Sequence, residues 1–150
     1  MTVVLDEEAR EVARAEAQAV LAAVRDEERR GRLAGLLAAV DDGAVDGEDA
    51  QALGEVLELG LQTGRVRALY GPDGEQAALK VFRRLPVGQE LGAAAKDVNA
   101  ALRALEGRAV EKVSVSAVGP GQHAVTIAAD GLELTIKLGR DGAALGTVGI

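Results

Sequence analysis

The chain has 150 residues, 48% of them apolar, enough to bury one core without disulfide or metal staples. It has no cysteine, which excludes thiol catalysis, disulfides and cysteine-ligated zinc, and its single tyrosine and phenylalanine leave few aromatic binding anchors. The net charge of −7 is uneven: residues 1–63 sum to −9, 64–108 to +3 and the remainder to −1, so the acidic first part would repel a phosphate backbone and no nucleic-acid partner is expected.

From Asp6 the chain reads as helix. Asp6 can cap, Glu7 and Glu8 occupy the first turn, and Leu5, Ala9, Val12, Ala13, Val20 and Val24 recur at helical spacing. The apolar stripe then slips by roughly 130° at Leu33, Leu36, Leu37 and Val40, too far for one straight helix. A break is therefore expected between Arg25 and Arg32, at Asp26 or Gly31. The second helix should end at Asp41-Asp42-Gly43, and Asp46 should open a third that Gly64 closes.

In the next stretch Pro72 and Gly74 predict a turn, with Asp73 as the cap of a helix that Pro86 stops. The alternative is a hairpin pairing residues 66–70 with 76–82, disfavoured because Ala77 and Ala78 would fall in a strand. A longer helix over residues 89–106 carries Leu91, Ala95, Val98, Ala101, Leu102 and Leu105 on one face and ends at Gly107.

Beyond Arg108 the apolar period becomes two, and four segments separated by GPGQH, DG and GRDG spell an antiparallel meander. A two-residue Asp130-Gly131 turn pairs Ala129 with Leu132, Ile127 with Leu134 and Val125 with Ile136, all on one face. Pairing Ala117 with Val125 adds Val115 and Val113 to that face, and puts Ser116, Thr126 and Thr135 in one row on the other. Val148 and Ile150 have the wrong parity beside Leu145, which a bulge at Gly146 would repair. The expected class is α+β: a single domain of about five helices followed by a four-stranded antiparallel β-meander, covered on one face by the helix around 89–106.

Motifs with chemical content are few. The acidic run from Asp41 to Asp49 suggests calcium, but a loop starting at Asp42 places Ala44 and Leu53 where oxygen donors are required. His123 is the only histidine, so no histidine pair can hold a metal, and Ser114 and Ser116 alternate to the opposite face from it. No phosphate-loop glycine pattern is present. No catalytic residue, metal or cofactor is expected.

The best surface candidate is the basic patch Arg65, Arg67, Tyr70, Lys80, Arg83 and Arg84, which could recognise carboxylates, phosphates or an acidic helix. The competing and preferred reading is that these arginines balance the protein's own acidic helices, with Phe82 in the core. The start of the chain lacks a basic region followed by a long apolar stretch, and no window has the apolar length of a membrane span. With a composition of the kind GC-rich bacterial genomes encode, this places the protein in a bacterial cytoplasm and away from membranes. The functional expectation is a non-catalytic interaction or assembly module, with a protein partner or self-association. The alternative is a small-molecule site, binding an anionic ligand or acting enzymatically, between the sheet and its covering helix.

Overall fold

A computed structural model describes every residue from Met1 to Ile150. The chain divides into two compact units, Met1–Gln89 and Glu90–Ile150.

The first unit is helical. Helix α1 spans Glu7–Ala23 and is capped by Asp6, whose Oδ1 accepts the Ala9 N–H at 2.8 Å. It stops where Val24 turns extended, and Asp26 then caps α2, Glu27–Asp42, by accepting the Arg29 N–H at 2.9 Å. Of the two expected break points, Asp26 is the one used, and Gly31 lies inside α2. Arg30 donates to the Leu21 and Val24 carbonyls at 3.1 and 2.9 Å, satisfying acceptors that the end of α1 leaves free. Gly43, at φ 89°, closes α2 in the left-handed conformation that costs glycine little.

Two short strands were not anticipated. In β1, Val3–Val4, and β2, Ala44–Val45, Val3 pairs with Val45 and Val4 with Ala44. The bridge draws Val3, Leu5 and Val45 into the core. Helix α3, Gly47–Gln62, follows Asp46 and buries Ala50, Leu53, Val56 and Leu57.

Helix α4 runs over Arg65–Phe82 with a break at Gly71, φ 72° and ψ −175°. This corrects the expected turn at Pro72–Gly74 with Asp73 as cap. The turn falls one residue earlier, because a residue preceding proline is pushed out of the helical region and glycine reaches positive φ without penalty. Pro72 then occupies the first position of the continuing helix, where its missing N–H costs nothing, and Asp73 and Gly74 are already helical. Residues 66–70 are helical too, which removes the hairpin alternative.

Pro86 likewise starts a helix rather than only stopping one: α5 spans Pro86–Leu102 and continues as a 3-10 turn over Arg103–Leu105. Leu36, Leu53, Leu57, Val66 and Leu85 are the heart of the first unit's core.

The second unit is the meander with its helix. Strands β3, Val110–Gly119, β4, Gln122–Ala129, β5, Leu132–Gly139, and β6, Gly142–Gly149, are antiparallel in the order β3-β4-β5-β6. The Asp130-Gly131 turn has φ 45° and 80°, as a primed two-residue turn requires. It produces the expected pairs Ala129–Leu132, Ile127–Leu134 and Val125–Ile136. The β5–β6 register shifts between Thr135 and Ile136, whose partners are Thr147 and Leu145, leaving Gly146 as the expected bulge.

The β3–β4 hairpin is tighter than expected. Gly119 pairs with Gln122 across a two-residue turn, so Ala117 faces His123 and Val115 faces Val125. The register differs by two residues from the expected Ala117–Val125 pairing. Parity survives a shift of two, so the apolar face is unchanged. The polar row becomes Ser114, Thr126, Thr135 and Thr147, with Ser116 displaced beside Ala124. The Thr126 and Thr135 hydroxyls stand 3.3 Å apart in it.

The fold is α+β as expected, and α5 covers the apolar face. Val98 packs with Leu134 and Ile136, flanked by Ala101, Leu102, Leu105 and Ala143. Ala95, expected on the packing face, is exposed, and Ala94 is the partly covered neighbour.

Candidate functional site

The basic patch of the sequence divides into two groups. Arg65 stands in the first turn of α4, a position where the helix dipole disfavours a cation. An internal carboxylate compensates: Arg65 Nε donates to both oxygens of Glu16 at 3.1 and 3.2 Å. The Tyr70 hydroxyl donates to Glu16 Oε1 at 2.8 Å.

Glu16 is 3% exposed, the single buried charged residue of the protein. It was not singled out from sequence, although the signal was there: it stands four residues after Val12 and three after Ala13, on the buried stripe of α1. Arg67 makes a longer pair with Glu75, at 3.5 Å, across the Gly71 break. Arg65, Arg67 and Tyr70 are therefore each engaged within the unit.

Lys80, Arg83 and Arg84 lie at the other end of α4, where cations suit the dipole, and form no ion pair. Arg84 reaches the Val4 carbonyl at 3.4 Å, and Phe82 is buried. Tyr70 and Lys80 lie on opposite sides of the Gly71 break, with Lys80 in the last turn of the second segment, more than two turns beyond the break. One ligand gripping all six residues would have to span both segments.

Tyr70 titrates abnormally. Burial first, then the hydrogen bond to Glu16 and its negative charge, push the hydroxyl from 10.0 up to about 12, while Arg65 opposes the shift. The folded state thus holds the phenolic proton more tightly than the unfolded state. The associated stability is intact below pH 10 and is lost as pH rises from 10 towards 12. Because this is the only tyrosine and there is no tryptophan, ultraviolet titration reads it directly. We expect a midpoint near 12 in the native protein, returning to about 10 in denaturant. A native midpoint at 10 would contradict the Glu16 contact.

No group of three or more His, Asp or Glu side chains is arranged to hold a metal. A pocket of about 170 Å³ opens beside the β3–β4 and β5–β6 turns, lined by Gln122, His123, Lys137, Arg140 and Asp141 among others. It is smaller than the roughly 300–1,000 Å³ of ordinary ligand sites.

The other unusual surface is β3. One helix is about 10 Å wide, whereas four strands spaced by about 4.8 Å, with their side chains, present nearly twice that width. A single helix therefore cannot cover both edges. Leu134 is fully buried under α5, yet in its cross-strand row Val113 and Val148 are 58% and 55% exposed. In the next row Val115 is 65% exposed.

β3 is also an edge strand, with one side of its backbone unpaired. Sheets normally protect such edges with charge, proline or bulges. β3 has Glu111, Lys112 and a register shift at its start and a second shift between Ala117 and Gly119, but from Val113 to Ala117 its pairing is regular and it carries neither charge nor proline. The opposite edge, β6, is interrupted by Gly146 and its bulge.

No family model matches the chain, and neither curated proteins nor solved structures include a significant match to it. No helix is long and apolar enough to cross a membrane.

Proposed function

We propose that the chain is a non-catalytic protein–protein interaction or assembly module, working in a bacterial cytoplasm, with the β3 edge and its valine stripe as the contact surface. The observation that carries this reading is that Val113 and Val115 are 58% and 65% exposed on a strand whose outer backbone is unpaired. Such a strand offers main-chain hydrogen bonds for affinity and alternate side chains for selectivity, the combination used in strand addition. The buried carboxylate of the first unit, Glu16, is engaged internally by Arg65 and Tyr70, which favours contact over catalysis.

Native mass spectrometry of the protein purified from its own host tests the reading. We expect a bound protein, a second copy or another chain, that Val115→Lys releases without loss of folded structure. A monomer that carries a small molecule, or nothing at all, would overturn it.

A further inference from the structure

Resting on that reading, we infer that the partner is a second copy of this chain, and that β3 pairs antiparallel with β3 of the other copy about a twofold axis perpendicular to the sheet. The segment Val113–Ala117 alternates apolar, hydroxyl, apolar, hydroxyl, apolar. That pattern is unchanged when read backwards, so a twofold pairing places apolar residues opposite apolar ones and hydroxyls opposite hydroxyls. Centred on Val115, the pairing sets Val113 opposite Ala117, Ser114 opposite Ser116 and Val115 opposite its own equivalent. Both valine stripes then stay on one face and both serine sets on the other.

Charge supports a copy of the same chain. Although the protein carries −7 in total, Val113–Val118 carries none, and the unit containing it holds 7 acidic and 6 basic residues. Two copies can approach along this edge with little repulsion. The product is a continuous eight-stranded sheet, within the usual size range. The two uncovered stripes meet side by side at its centre.

Pairing the five residues Val113–Ala117 of each copy and closing the stripes makes a small interface, at the low end of the specific range of roughly 1,200–2,000 Å² in total. The dimer should therefore dissociate on dilution. Pairing β3 with β6 of the next copy would instead be head-to-tail, giving a ring or an open filament rather than a dimer, and the Gly146 bulge opposes it.

Light scattering of the recombinant chain over a hundredfold concentration range should show a mass rising from 15.4 kDa to twice that value and no further. Because the protein has no cysteine, single spin labels can be placed cleanly. Labels at Ser116→Cys should lie within about 20 Å of each other in the dimer, and labels at Thr147→Cys, on the far edges, beyond about 30 Å given the strand spacing. Val115→Lys should yield a monomer with an unchanged circular dichroism spectrum. Should that variant misfold, the label distances decide alone.

A monomer at every concentration, an open-ended series of masses, or a dimer with the Thr147 labels closer than the Ser116 labels would overturn the inference. If the recombinant chain is monomeric while the host-purified protein carries a different protein that Val115→Lys releases, dimerisation falls and the assembly reading stands.

Discussion

Leu134→Ala is expected to destabilise the sheet unit by about 3–4 kcal/mol, the cost of removing a fully buried leucine whose surroundings collapse only in part. The effect should be severe because the core there is thin. Val98, Leu134 and Ile136 form its buried cluster, and Ala124, Ala129 and Leu132 are the unit's other buried apolar residues. A unit of 61 residues, Glu90–Ile150, has little stability to spare. Amide exchange should show β4 and β5 losing most of their protection. Protection within a factor of ten of wild type would mean that α5 and β5 are not the unit's stabilising contact. Val113→Ala, on the exposed edge, is the contrast, and should cost well under 1 kcal/mol in the monomer.

The second large effect concerns Glu16. Glu16→Ala removes the acceptor for Tyr70 and the partner of Arg65 and leaves a small void beside Gly60, whose Cα faces the carboxylate. Breaking a buried pair typically costs 3–5 kcal/mol. The side chain of Arg65 is 49% exposed and can rehydrate, so the expected loss is nearer 2–3 kcal/mol. Glu16→Gln, which can still accept from Tyr70, should lose about half as much. Urea titration at neutral pH measures both. Equal losses for Ala and Gln would show that the Tyr70 hydrogen bond contributes nothing. Replacing Glu16, Arg65 and Tyr70 together by Leu, Met and Phe should restore much of the loss, since an apolar set of similar volume needs no desolvated charge.

Much of the architecture was legible because it follows from period and parity. Asp6 announces its helix by position ahead of an apolar stripe, the slip of that stripe offered Asp26 as one of two break points, and the mismatch of Val148 and Ile150 with Leu145 was enough to place the bulge at Gly146. Features lacking a period were hidden. A bridge of two residues on each side, Val3–Val4 with Ala44–Val45, is too short to alternate. The β3–β4 register could slide by two because every apolar side chain keeps its face in either alignment, and only the length of the turn distinguishes them. The break at Gly71 was misplaced by one residue because Asp73 looked like a cap, while the Gly-Pro step held the stronger constraint.

The candidate surface was half legible. Alternation identified the apolar face but says nothing about how wide its lid is. The exposure of Val113 and Val115 follows from comparing one helix's width with four strands, a comparison that needs the packed structure. The basic patch had the opposite history. Its residues cluster in sequence, yet Glu16, the partner of Arg65 and Tyr70, lies 49 and 54 positions away from them.

The bare edge of β3 also bears on colloidal behaviour. Val-Ser-Val-Ser-Ala-Val is a six-residue, uncharged, proline-free and glycine-free segment, the composition from which dry interdigitated fibril spines are built. Near pH 4.8, where the chain's charge vanishes, long-range repulsion no longer keeps copies apart. Acidification towards that pH is therefore expected to favour precipitation through this strand, seen as turbidity that Val115→Lys reduces.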